Sequence, residues 1–347
     1  MASPEGGRRR RRADEPERTF QWVVPKGRKA SIYEDITLDT QPSVHRFMTG
    51  GYMVGFEDGR GTWDDGSTAL DATWSAFRDP SELWERPYYQ QGAQTEREID
   101  DAVRGARDEG LLEELDPAWL EVLRRDGQVP AFVEHGIWSL VTRRSRAALS
   151  DVLTHVLVLY AAMKQRQAQA LVVTGMDLDE ALGGFAIEDA KARWTQAPEW
   201  QPARRCVERL GTITDWGELI VATGLAVEPL LGVGVRRELL LRPALAGADP
   251  VTPVVVRHAQ REWSWWRALA VEFARFVCAD EAHGAENRRL VDGWLASWTA
   301  DAREAVEALA PLLDGVPGGD ATAALGRLEA ERAALVAEAG LAEAVPA

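Results

Sequence analysis

Apolar positions change their spacing near residue 90. Beyond it, Ile99, Ala102, Val103 and Ala106 stand at i, i+3, i+4 and i+7, which places them on one helical face. Asp116 ahead of Pro117 reads as an N-cap before a proline in the first turn. The strongest helix is predicted over 147–173, with Leu149, Val152, Leu153, Val156, Leu159, Tyr160 and Met163 as its apolar stripe. Further helices are predicted around 178–194, 203–210, 216–225, 254–279 and 290–313. The stretch 320–345, rich in Ala, Glu, Leu and Arg, reads as a last, exposed helix. No segment alternates apolar and polar residues between turn signals. The expected fold class is all-α, with helices long enough for a bundle.

The chain before residue 90 has a different character. From Thr19 to Tyr89, Gly and Pro recur too often for any sustained helix. Yet the same stretch carries Phe20, Trp22, Tyr33, Trp63, Trp74, Phe77, Trp84 and Tyr88. Disordered chain is poor in aromatics, so a segment this rich must bury them somewhere. It either packs on the chain's own helices or lies at least partly on another subunit. The second reading is preferred, because aromatic residues dominate the energetic centres of interfaces. The expected organisation is a disordered Arg-rich tail over 1–18, an extended aromatic arm over 19–89, a helical domain over 90–315 and a C-terminal helix over 316–347. The arm's expected partner contacts are Phe20, Trp22, Tyr33, Trp74, Phe77, Arg78, Trp84 and Tyr88.

Charge narrows the partners. A formal net charge of −15 over 347 residues disfavours nucleic acid and anionic membranes, both of which repel an acidic surface. The five arginines Arg8 to Arg12 run into Ala13-Asp14-Glu15-Pro16-Glu17, not into the apolar stretch of an export signal. The most apolar run identified, 156–163, ends at Lys164 and Arg166, too short to span a bilayer. Cys206 and Cys278 cannot make a disulfide framework, which fits a reduced, cytoplasmic setting.

Long helices with many carboxylates raise the possibility of a ferritin-like di-iron site. Such a site takes one Glu from each of two helices and a Glu-x-x-His pair from each of two others. The residues three places before His45, His135, His155, His258 and His283 are Pro42, Phe132, Val152, Val255 and Asp280. The motif is absent, and Asp280-x-x-His283 is a single approach with the shorter acid. His155 reads as a core histidine and Glu134-His135 as structural. There is no G-x-S-x-G nucleophile elbow, and Gly50-Gly51 and Gly59-x-Gly61 read as turn glycines. Trp263, Trp266 and Phe273 share a helix face suited to a core or a helix–helix contact. No residue is assigned a catalytic, metal-binding or cofactor-binding role.

Several segments resemble the hydroxylase β (small) subunit family of soluble di-iron monooxygenases. They include Arg18-Thr19-Phe20-x-Trp22, Pro25-x-Gly27-Arg28-Lys29-Ala30-Ser31-x-Tyr33-Glu34-Asp35 and Trp74-x-x-Phe77-Arg78-Asp79-Pro80. Trp84-Glu85-Arg86-x-Tyr88, Glu134-His135-Gly136, Trp200-Gln201-Pro202-x-Arg204 and Glu228-Pro229-Leu230-x-Gly232 are similar too. The likeness covers roughly 18–280 and looks closest to the propane-oxidising branch. It implies a ferritin-like, ribonucleotide-reductase-like bundle without iron in this chain. It also implies a large α subunit carrying the di-iron centre, in an α2β2 core. An NADH-dependent reductase with FAD and an iron–sulfur cluster, and a coupling protein, would complete the system. The implied reaction inserts one atom of O2 into a C–H bond of a small hydrocarbon such as propane. Two other readings stay open from the residues alone: a self-sufficient oxidase with a carboxylate-only metal site, and a helical adaptor unrelated to oxygenases.

Overall fold

Ser31 and Glu34 close a capping box around helix α1 (Ile32–Thr37). The Glu34 backbone N–H donates to Ser31 Oγ (3.1 Å) and the Ser31 N–H to Glu34 Oε2 (2.8 Å). This helix lies inside the stretch expected to be extended, and Ser31-x-x-Glu34 is the sequence signal that marks it. The computed structural model describes residues 31–38 and 65–341. The Arg8–Arg12 tail, Phe20, Trp22 and Trp63 lie outside the described residues. The chain divides into two units, 1–64 and 65–347, and α1 belongs to the first.

The second unit begins with an ordered segment that has almost no helix. Residues 65–84 hold only two 3-10 turns, Asp65–Ser67 and Trp74–Ala76. Their backbone groups are satisfied by side chains instead of a ladder. Ala69 N–H donates to Asp215 Oδ2 (2.6 Å). The Asn287 amide accepts from Asp71 N–H (3.1 Å) and donates to Asp71 O (2.8 Å) and Val277 O (2.8 Å). Asp79 accepts from the N–H groups of Ser81 and Leu83.

Helices follow: α2 (Glu85–Asp108), α3 (Pro117–Asp126), α4 (Pro130–Arg144), α5 (Asp151–Leu182), α6 (Ile187–Gln196) and α7 (Gln201–Leu210). Then come α8 (Trp216–Ala246), α9 (Thr252–Cys278), α10 (Gly284–Glu307), α11 (Ala310–Gly315) and α12 (Ala321–Glu338). There is no strand among the described residues. Asp116 caps α3 as expected, accepting from the N–H groups of Ala118 and Trp119. In α2, Ile99, Val103 and Ala106 face inward, and in α5 the stripe from Val152 to Met163 is buried.

Helix boundaries differ from expectation where periodicity is a poor guide. Helix α2 starts at Glu85, inside the supposed arm. Helix α5 starts four residues later than predicted and runs on to Leu182, where Gly183 and Gly184, both at positive φ, turn the chain into α6. Helix α8 continues well past residue 225. Its stretch 219–235 is buried on all sides and uncharged but for Glu228, so it has no amphipathic period to read. Ala222–Gly232 and Gly234–Leu241 are wound as π-helix, whose wider turn accommodates Pro229 where an α-helix would clash. By length and composition α8 could cross a membrane, but 94% of its apolar stretch is buried inside the protein. Among the described residues this rod, not the run at 156–163, is the segment long and apolar enough to cross a membrane. The last helix is also corrected: Ala321, Ala324, Leu328, Leu335 and Val336 of α12 are buried, so it is not an exposed appendage. It packs against α8.

Helices α4, α5, α8 and α9 form the centre, with α4 on α5, α8 on α9 and α9 on α5. A Cβ at Gly224 of α8 would run into the Ala270 Cβ of α9, so the glycine permits that close approach.

Candidate functional site

Four ionic side chains meet in the middle of this bundle, each no more than 3% exposed. Glu134 comes from α4, Lys164 from α5, and Glu228 and Arg236 from α8. Arg236 Nη1 donates to Glu134 Oε1 (2.7 Å) and Nη2 to Glu228 Oε2 (2.5 Å). Lys164 Nζ donates to Glu134 Oε2 (2.7 Å) and pairs with Glu228 Oε1. The result is a closed ring of alternating charge in which every carboxylate oxygen faces one cation.

The surroundings complete it. The third Lys164 proton goes to Gln167 Oε1 (3.1 Å), so the ammonium sits among three oxygens. Gln167 Nε2 in turn donates to Glu262 Oε2 of α9 (2.6 Å), and Arg166 pairs with Glu262 at 2.7 Å. Tyr160 donates its hydroxyl to Glu228 Oε1 (2.9 Å) and stacks on Trp266 with ring centroids 3.7 Å apart. The Glu134, Glu228 and Glu262 charges are thus balanced by Lys164, Arg236 and Arg166.

Burial alone would push the Glu228 carboxyl up, but Arg236 and Lys164 outweigh it and hold it at about 2. Burial likewise works against the charge on Arg236, and Glu228 with Glu134 more than compensates, raising its affinity for the proton. Burial and the carboxylates of Glu228 and Glu134 keep the Tyr160 phenol protonated. The ring also sets the backbone: a Cβ at Gly232 would strike Glu228 Oε2 and lie 3.0 Å from Arg236 Nη2. Gly232→Ala is expected to cost about 1–3 kcal/mol by overpacking, read as a lower urea midpoint with unchanged slope.

The ring does not fit a di-iron centre. The ferritin-like pattern calls for acids and imidazoles, whereas two of these inward groups are cations and none is His. Among the described residues no group of three or more His, Cys, Asp or Glu could hold a metal. Sequence reasoning missed the ring. It singled out Glu134 and Glu228 only within motifs, and Lys164 only as the end of an apolar run. Acids and bases embedded among apolar neighbours on predicted core helices were the available signal.

The four described histidines have local roles; His45 lies outside the described residues. His258 is buried, with Nδ1 3.2 Å from Thr95 Oγ1 and Nε2 2.9 Å from Glu98 Oε2. Half-buried His155 lies 3.3 Å from Glu85 Oε1, and burial lowers its pKa against the pull of Glu85 and Asp79. Exposed His135 rests on Trp138. In Asp280-x-x-His283 the aspartate accepts from the N–H groups of Ala282 and His283, which is a turn. Cys206 and Cys278 are both free, and burial pushes the Cys206 thiol up to about 12.

The expected partner contacts are scattered. Tyr33 lies on α1 of the first unit. Phe77 and Tyr88 are buried within the second unit, and Trp74, Arg78 and Trp84 are half-buried. Trp74 meets Trp216 edge-on at 4.8 Å, and Phe77 meets Phe276 at 5.3 Å and Phe273 at 6.1 Å. Arg78 Nη1 donates to the carbonyls of Ser75 and Phe77. Residues 65–89 therefore use much of their aromatic surface on the chain's own helices. Tyr89, 63% exposed, was not among the expected contacts. The Trp200 motif is structural: its indole donates to buried Asp126 (2.9 Å), which also holds Arg193, tying α3, α6 and α7 together.

This helical core, with its centre built from four helices and its irregular aromatic lead-in, has a known counterpart. The chain belongs to the methane/phenol/alkene hydroxylase family, whose profile matches residues 54–281. It is 33% identical to the propane 2-monooxygenase hydroxylase component small subunit of Gordonia sp. (strain TY-5), over 85% of this chain and 81% of that one. It is 27% identical to the methane monooxygenase component A beta chain of Methylococcus capsulatus, over 86% and 79%. Among solved structures, xenon-pressurised phenol hydroxylase from Pseudomonas sp. OX1 shares the fold, with a TM-score of 0.77, 19% identity and coverage of 91% and 92%.

Proposed function

We propose that this chain is the non-catalytic small (β) subunit of the hydroxylase component of a multicomponent monooxygenase. In this reading it scaffolds a large subunit that holds the di-iron centre, in a cytoplasmic α2β2 core. A reductase carrying FAD and an iron–sulfur cluster supplies electrons from NADH, and a coupling protein completes the system. The reaction hydroxylates a small hydrocarbon, with propane as the first candidate. The observation that carries this reading is the match to small-subunit relatives over some four-fifths of their length. It is supported by a bundle centre filled with ion pairs instead of ligands. Neither an autonomous oxidase nor an unrelated adaptor accounts for both.

Expressed alone and reconstituted with Fe2+, the purified chain is expected to retain no stoichiometric iron and to oxidise no propane. Co-expressed with a large subunit bearing two Glu-x-x-His pairs, it is expected to co-purify in equal amounts and, once the reductase, coupling protein and NADH are added, to support turnover. Tight iron binding with O2 consumption by the lone chain would overturn the proposal.

A further inference from the structure

The four central helices present their inward polar residues in a recognisable order. Helix α4 gives Glu134, and α8 gives Glu228 as its one acid in the ring, together with Arg236. Helix α5 gives an i, i+3 pair, Lys164-x-x-Gln167, and α9 gives Glu262, with half-buried Trp265 three residues on in sequence only. The ferritin-like pattern is one Glu from each of two helices and an i, i+3 Glu-x-x-His pair from each of two others. Position for position, three of its four carboxylates are present here. The fourth is Lys164, and the two imidazole positions are Gln167 and Trp265. The hydrogen bonds show that this is a spatial correspondence for all but Trp265: Glu134, Glu228 and Gln167 converge on Lys164 Nζ, and Glu262 meets Gln167.

We infer that the bundle centre is a cation site of ferritin-like design whose cations are now covalent parts of the chain, the Lys164 ammonium and the Arg236 guanidinium. The ammonium sits among three oxygens drawn from three helices, two of them anionic, an arrangement that also suits a hard divalent ion. The charge agrees. Four carboxylates with two divalent ions are neutral, and here the three carboxylates of Glu134, Glu228 and Glu262 are neutralised by Lys164, Arg236 and Arg166. Burial makes the exchange self-sustaining: Glu134 and Glu228 cannot remain ionised in the interior without a cation between them. The subunit is thereby closed to metal, and its core holds together independently of iron supply.

The test is to free the site. In full-length chain, Lys164→Glu with Gln167→His and Arg236→Ala restores one acid–imidazole pair and vacates the bridging position. Lys164→Ala with Arg236→Ala leaves the acids facing empty space. Mn2+ alone is the probe, read by metal content after gel filtration and by thermal unfolding with and without the ion. The unmodified chain is expected to retain no Mn2+ and to show no shift. At least one variant is expected to retain about one equivalent and to melt about 5–10 °C higher in saturating Mn2+. A variant that folds only when Mn2+ is present also supports the inference. If neither variant retains Mn2+ or responds to it, folded or not, the inference is overturned. The outcome concerns the bundle centre alone and leaves assembly with a large subunit untouched.

Discussion

Lys164→Met is expected to lower stability by about 3–5 kcal/mol, because it strands Glu134 and Glu228 around a single guanidinium in a dry interior. For a unit of this size that is a fall of roughly 10 °C in the thermal midpoint. The penalty should depend on pH with a definite sign. In the unmodified protein Glu228 is held at about 2, below its unfolded value. Its contribution is therefore complete above the ordinary carboxylate range and disappears as pH falls through about 4 toward 2. The variant lacks one of the cations that depress this pKa, so it forgoes most of that contribution at neutral pH. Its deficit should shrink steadily on acidification, as checked by denaturant midpoints between pH 7 and pH 3. A deficit independent of pH would point to lost packing. Adding Glu134→Gln to Lys164→Met should recover part of the loss, since it removes the one carboxylate charge that Arg236 cannot balance.

The second large effect concerns the N-terminal region, where the position of the cut decides the outcome. Removing residues 1–64 deletes a whole unit and leaves the second one intact. That chain is expected to keep its helical circular dichroism and its cooperative melt but to lose co-purification with the large subunit. Removing residues 1–84 also strips Trp74 and Phe77 from Trp216, Phe273 and Phe276. Truncating even one such buried aromatic costs about 3–5 kcal/mol, so this chain should misfold or aggregate. If the 65–347 chain still assembled normally, residues 19–64 of the aromatic arm would not carry the contact with another subunit expected of them.

Sequence patterning revealed those parts of the fold that are amphipathic. The α2 face at Ile99, Val103 and Ala106 and the α5 stripe were legible because a half-buried helix must alternate its surfaces every three or four residues. Helix α8 was cut short because a rod buried on all sides carries no such alternation. The capping box at Ser31 and Glu34 was written in the sequence but was masked by the glycines and prolines around it. The bundle centre was legible only as an absence. A search for His finds missing ligands, whereas Lys164, Arg236 and three acids, though set among apolar neighbours, give no sign one at a time that they pair with one another. Only the fold brings residues from three helices within hydrogen-bond distance of one nitrogen.

The rod α8 also bears on how the chain behaves before it folds. Emerging from the ribosome, it presents a stretch long and apolar enough to be handed to a lipid bilayer. Glu228 near its middle and Arg236 farther along each raise the cost of such insertion, by up to about 2.5–3.5 kcal/mol for a charge at the very centre of a span. The residues that hold the finished core together thus also disfavour lipid at the earlier stage, when α4 and α5 have already been made and α9 has yet to follow.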